Sequence, residues 1–419
     1  MLTRIYQTCF WLALGFSIFL PIEASAQPWS PQDSHSDEKL RDVFFVDEQT
    51  GWAAGESDDS NADYLRKTVD QGINWLVQEV GQDNLEIQAI HFLDSLTGFL
   101  VGELESGSTP GFLAVTTDGG DSWEVDETTF PQKLYGLVFI GSDLGWVAGN
   151  NGYIAHSSDG GSSWEVQSTP TDRKLNGIAF AHAQLGLAVG DHGRLLRTID
   201  GGANWEQADS GTDEDLLAVS FGSDTHAWAV GDKGTVLATT DGGLNWESQQ
   251  AKTDRRLFDV DAVSAEVAWL VGKDGIVRRT TDGGNEWVEE DSGTERDIFA
   301  VDMLSDSLGW HAGQHGNLFI YQPSTFVSVA VGLPASERIT LSPNPVSMGG
   351  QVQLLASRSV EYQVWVHDAL GRLLWSGRFA NAASLVIPMA ELPAAPGFLW
   401  VRVYDAGLGN LATYPLAIH

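Results

Sequence analysis

The residues best placed to do chemistry are carboxylates that recur at fixed spacing. Six aspartates share the context Thr/Ser-x-Asp-x-Gly-x-x-Trp: Asp70, Asp118, Asp159, Asp200, Asp241 and Asp282. From Asp118 onward they fall every 41 residues. Brought together, such groups would chelate a cation. Held in pairs, they would supply the acid and base of glycoside hydrolysis. A second set is charged and also in register: Thr171-Asp172-Arg173-Lys174, Thr212-Asp213-Glu214-Asp215, Thr253-Asp254-Arg255-Arg256 and Thr294-Glu295-Arg296-Asp297. Guanidinium forks in that pattern suit recognition of carboxylates or peptide groups. Other catalytic groups are scarce. His91, His156, His182, His192, His226, His311 and His315 are scattered without an HExxH or similar ligand spacing. His311 and His315 are four apart, but in a strand–turn–strand context. The single cysteine, Cys9, lies in the leader described below, so the mature chain has no thiolate.

The elements that must carry these groups follow from a second repeat. An aromatic or apolar anchor followed three residues later by Gly occurs seven times, at Trp52, Phe99, Trp146, Leu187, Trp228, Trp269 and Trp310. Alternating runs such as 216–221 (LLAVSF) precede each anchor and read as strands with one buried face. About four short strands in about 41 residues is a propeller blade. The seventh unit stops before its Asp box, and the N-terminus supplies the missing piece. Trp29 precedes Trp52 by 23 residues, the interval that separates Trp205 from Trp228 and Trp246 from Trp269. The segment around Trp29 is therefore expected to pair with the strand near 317–321 and close a seven-bladed ring. In that geometry each Asp box sits at the outer rim, far from its copies. The boxes then read as hairpin structure: Gly takes positive φ, and the hydroxyl and carboxylate bond to the turn backbone. The four charged clusters all fall on one face, near the channel mouth. Arg173, Lys174, Arg255, Arg256, Arg296, Asp172, Asp213 and Asp254 are its candidate binding residues; the alternative is a solvated rim of weak Asp–Arg pairs.

These motifs identify a resemblance. The stretch 227–246, AWAVGDKGTVLATTDGGLNW, resembles BNR/Asp-box propellers and, among them, the plant and cyanobacterial photosystem II stability/assembly factors. The likeness runs over 28–322. It implies a non-enzymatic seven-bladed propeller that binds a protein partner. Sialidases and xyloglucan-type hydrolases share Asp boxes, so the box does not identify chemistry. The Arg-Ile-Pro motif of a sialidase is absent: the early segment has only Arg41, with no Ile-Pro after it.

Charge and flanking segments complete the expectation. With 57 acidic side chains against 23 Lys+Arg, net charge is −34, which argues against nucleic acid or an anionic membrane as partner. Residues 1–26 read as a signal peptide: Arg4, an apolar run over 9–20, then Ala24-Ser25-Ala26 before Gln27. Residues 323–335 are uncharged and suit a linker. Residues 336–419 carry five acids and five Arg, so the −34 belongs to the propeller. Their alternating runs predict a small antiparallel β-sandwich. The strings Pro343-Asn344-Pro345, Asp368-Ala369-Leu370-Gly371-Arg372 and Pro396-Gly397-Phe398 resemble the type A C-terminal sorting domain of type IX secretion, whose family usually ends in a Lys-rich strand where this chain has TYPLAIH. The expectation is an all-β, exported, monomeric protein, secreted or at the cell surface after passing the periplasm. It has no membrane span after signal cleavage, no catalytic residue, no metal and no cofactor. Its partner is a protein or an extracellular glycan, besides the type IX machinery that reads 336–419. The alternative is a glycan-binding or glycoside-hydrolysing propeller.

Overall fold

A computed structural model describes residues 28–56, 65–82, 85–104, 111–126 and 129–322 in full. It also describes the backbone of the strands Ile339–Ser342, Gln351–His367, Leu373–Pro388, Gly397–Asp405 and Asn410–Ile418. The signal peptide, the linker and the sorting-domain strings at 343–345 and 368–372 lie outside the described residues.

Seven four-stranded antiparallel sheets follow one another. The fifth blade shows the plan: Leu216–Phe221, Ala227–Gly231, Thr235–Thr239 and Glu247–Gln250, paired in that order from the centre outward. The first strands of consecutive blades contact one another around the ring and line its channel. The loop that enters each first strand and the turn between second and third strands share the mouth face. The Asp box, between third and fourth strands, lies on the opposite face. Among the described residues there is no α-helix, only 3-10 turns such as Asp232–Gly234. The C-terminal strands pair antiparallel in one five-stranded sheet; the sandwich expected of them rests on side chains outside the described residues.

The ring closes as the 23-residue interval requires. Trp29–Pro31 is the outer strand of the seventh blade, with Trp29 opposite Tyr321, Ser30 opposite Ile320 and Pro31 opposite Phe319. The anchors are core. Trp52, Trp146, Trp228, Trp269 and Trp310 are buried, because a ring this large stabilises only where both neighbouring sheets cover it. At four seams the anchor lies on a phenylalanine from the next blade's first strand. These pairs are Trp310–Phe45, Trp52–Phe92, Phe99–Phe139 and Trp146–Phe180, with centroids 3.4 to 4.4 Å apart.

Candidate functional site

The six Asp boxes are the same small machine. In the fifth blade Thr239 Oγ1 donates to Asp241 Oδ1 at 2.8 Å and accepts from the Gly243 amide at 3.0 Å. Asp241 then accepts from the Asn245 amide at 2.9 Å and from the Asn245 side chain at 2.7 Å. The same bonds hold Asp118 with Thr116, Gly120 and Ser122. Hydrogen bonds from the Ser122 and Asn245 side chains and amides bring Asp118 and Asp241 down to about 2. Every acceptor site on these carboxylates that faces the turn is in use, and each box belongs to its own blade. Among the described residues no group of three or more His, Cys, Asp or Glu could hold a metal ion.

The charged loops do converge on the mouth face, but not all on the channel. Lys174 and Arg256 line a cavity of about 320 Å³ at the channel mouth, together with Arg41, Asn176, Tyr135, Phe258 and Phe299. Lys174 Nζ stands 3.5 Å over the Tyr135 ring and makes no ion pair among the described residues. Burial lowers its pKa first of all, with Arg256 and Arg41 adding to the shift and Asp191 and Asp215 opposing it. Arg256 forks onto Asp232, with Nη2 to Oδ2 at 3.0 Å, and its carbon stands 5.9 Å from the Phe258 ring. Arg41 pairs with Glu56 and stands 4.8 Å over Phe299.

The other candidates sit outside this cavity. Arg255 pairs with Asp274 at 2.9 Å, and Arg296 donates to the His315 carbonyl at 3.1 Å. Arg173 is exposed, and its carbonyl accepts from the Gly152 amide at 2.7 Å. Asp172, Asp213 and Asp254 are exposed and form no ion pair among the described residues. The Asp partners of the rim arginines are thus Asp232 and Asp274, from the 3-10 turns, and not the aspartates of the clusters themselves. Sequence reasoning missed Arg41, Tyr135, Phe258 and Phe299 as one group. They, Gln88, Asn176 and Leu217 occupy one register position, the residue after the first buried side chain of each first strand. That shared position was the available signal.

Deeper in the channel stand four aspartates. Asp42, Asp259, Asp261 and Asp302 each accept a backbone N–H from the next blade: Ile90, Val301, Met303 and Phe45, at 2.8, 2.9, 2.7 and 2.6 Å. Asp42, Asp259 and Asp261 also cap the amide of their own following residue. Enclosure by protein pushes Asp42 up to about 7 and Asp259 and Asp302 well above the usual carboxylate range.

Comparison with known proteins places this geometry. The chain is matched over 68–177, 160–216 and 203–295 by the model of the family described as photosynthesis system II assembly factor YCF48. Together these stretches exceed half of the chain. The photosystem II assembly lipoprotein Ycf48 of Synechococcus sp. (strain CC9902) is 28% identical over 132 residues, which is 30% of this chain and 36% of that protein. The match thus spans about a third of that relative's length. The solved structure of YCF48 bound to D1 peptide superposes with a TM-score of 0.59 at 21% identity, over 71% of this chain and 97% of the other. An ancestral GH74 enzyme gives 0.55 at 14% identity, over 94% of this chain and 64% of the enzyme. At these identities both likenesses show the fold. The family match rests on the repeated blades themselves, and by it the chain belongs to the family of the photosystem II assembly factor YCF48.

Proposed function

We propose that this chain is a non-enzymatic binding propeller that holds a polypeptide segment at its channel mouth. One observation carries the reading: Lys174, its charge unpaired, stands over Tyr135 in a cavity walled by Arg41, Arg256, Phe258 and Phe299. An anionic group of the ligand would meet Lys174, and flanking peptide or aromatic groups would lie on the rings. The YCF48 structure solved with a D1 peptide supports a peptide as the class of ligand. For this chain the partner is an acidic segment of a protein outside the cell membrane. That setting comes from the signal peptide at 1–26 and the sorting segment at 336–419. The mature N-terminus is Gln27, and type IX export delivers the chain to the surface. Mass spectrometry of secreted protein, with and without 336–419, tests the route.

The glycoside-hydrolase reading would need Asp42 and Asp259, the carboxylates that line the mouth cavity, to act on a sugar. Both oxygens of each already accept backbone amides that join blades. This supports a structural role for the pair. The binding test is fluorescence anisotropy with a labelled acidic peptide bearing a free C-terminal carboxylate. Lys174→Ala with Arg256→Ala is expected to weaken binding at least about tenfold. Equal binding by both proteins, or sugar released from a polysaccharide panel, would overturn the reading.

A further inference from the structure

The channel carboxylates are distributed unevenly around the ring. The seam between blades 6 and 7 is joined by Asp259 to Val301 and Asp261 to Met303, the seam between 7 and 1 by Asp302 to Phe45, and that between 1 and 2 by Asp42 to Ile90. Elsewhere the corresponding positions are Gly136, Gly177, Ala179 and Ala218, and Ser220 alone carries a hydroxyl, which donates to Asp261 at 3.3 Å. One arc of the propeller is therefore closed by acids, and it includes the seam where the two ends of the ring meet.

We propose that this arc is a proton-linked latch: protonated channel carboxylates hold blades 6, 7, 1 and 2 together, and their ionisation loosens the seam between 7 and 1. Two effects compete. Backbone amides aimed at a carboxylate favour its charged form. Desolvation and the mutual repulsion of Asp42, Asp259, Asp261 and Asp302 favour the neutral form, and for all four the second effect prevails, desolvation first. No ion pair among the described residues offsets the charge. Arg41, Lys174 and Arg256 share the mouth cavity with Asp42 and Asp259, but Arg41 is committed to Glu56 and Arg256 to Asp232. From blade 2, His91 faces Phe44 and is held neutral by burial, at about 4, so it brings no cation to the channel at neutral pH.

The sign follows from linkage. A carboxyl whose pKa is raised by folding stabilises fully below its ordinary value of 3.8, and that contribution is lost as pH rises through its folded value. For Asp42 the window closes at about 7, and for Asp259 and Asp302 it extends further up.

The test is thermal unfolding of the full chain from about pH 5 to about pH 9, in about 0.5 M NaCl to screen the exposed charges. Wild type is compared with Asp302→Asn, Asp42→Asn and, as a control for loss of one exposed charge, Glu206→Gln. The midpoint of wild type should fall by several degrees across the range. The variant-minus-wild-type difference should climb with pH for both Asn variants and stay flat for Glu206→Gln. Histidine titration is common to all four proteins and cancels in that difference. Hydrogen exchange, corrected for its intrinsic pH dependence, should show the Phe45, Ile90, Val301 and Met303 amides losing protection at high pH while blades 3 and 4 keep theirs. A flat difference for the Asn variants, or exchange that rises equally around the ring, overturns the latch. If an Asn variant does not fold, the exchange pattern of wild type decides alone.

Discussion

Phe45 lies flat on Trp310, with ring centroids 3.4 Å apart and planes within 6°. The first strand of the first blade thereby meets the second strand of the last. Gly51, immediately before the anchor Trp52, is what lets Phe45 lie there: a Cβ at 51 would stand 2.5 Å from the Phe45 ring. Gly98 under Phe92, Gly145 under Phe139 and Gly186 under Phe180 repeat the arrangement. Where the phenylalanine is absent, as at Ala262 and Met303, the stack is absent too.

Gly51→Ala should therefore displace Phe45 and disturb the Trp310 stack without touching the mouth. Overpacking of this kind costs about 1–3 kcal/mol. Chemical denaturation would show it as a lowered midpoint with an unchanged slope.

Trp29 carries the closing strand. It is buried, its ring lies 4.9 Å from Tyr321, and its indole N–H donates to Glu290 at 3.3 Å, on the neighbouring sixth blade. Trp29→Ala should cost roughly 3–5 kcal/mol and expose the edge at 318–321. A lowered thermal midpoint with concentration-dependent aggregation is the expected result.

The Asp box can be tested through its hydroxyl. Thr239 is buried and satisfies the Gly243 amide. Thr239→Val keeps the shape and leaves that amide unpaired, at about 1–3 kcal/mol. The box carboxylates add an acid limb of known sign. Held below their ordinary value, Asp118 and Asp241 contribute stability above pH 3.8 that is lost as pH falls toward about 2. An acid titration of Asp118→Asn and Asp241→Asn together should be flatter than wild type below about pH 4.

His311 supplies the opposite limb to the channel acids. Sandwiched between Trp29 and Phe319 and fully buried, it is pushed down to about 3 by desolvation. Stability is therefore lost as pH falls through its ordinary value of 6.5 toward about 3. His311→Phe should remove that dependence: its midpoint should fall less than that of wild type between about pH 6.5 and about pH 4.

The repeat made the ring legible because blades reuse one solution: the same hydroxyl, carboxylate, glycine and indole at the same spacing. Closure was legible for the same reason, through the interval from Trp29 to Trp52. The mouth was legible only in part. Lys174 and Arg256 stood out as scarce cations, but Tyr135, Phe258 and Phe299 sit in strands where an aromatic ring reads as core. The channel acids were not legible at all. Asp42, Asp259, Asp261 and Asp302 fall on outward-alternating positions, where a carboxylate reads as solvated; only closing the sheet into a ring turns that face inward.

The register of the seventh blade fixes where the ring begins and ends. Trp29 and Tyr321 lie level with Gly309 and Met303, the far end of the channel strand, whereas Arg41 and Phe299 stand near its entrance. The amide of Gln322 donates to the Pro28 carbonyl at 2.9 Å, so entry and exit form one point on the back of the disc. A propeller moored there, from either end, turns its mouth away from whatever holds it.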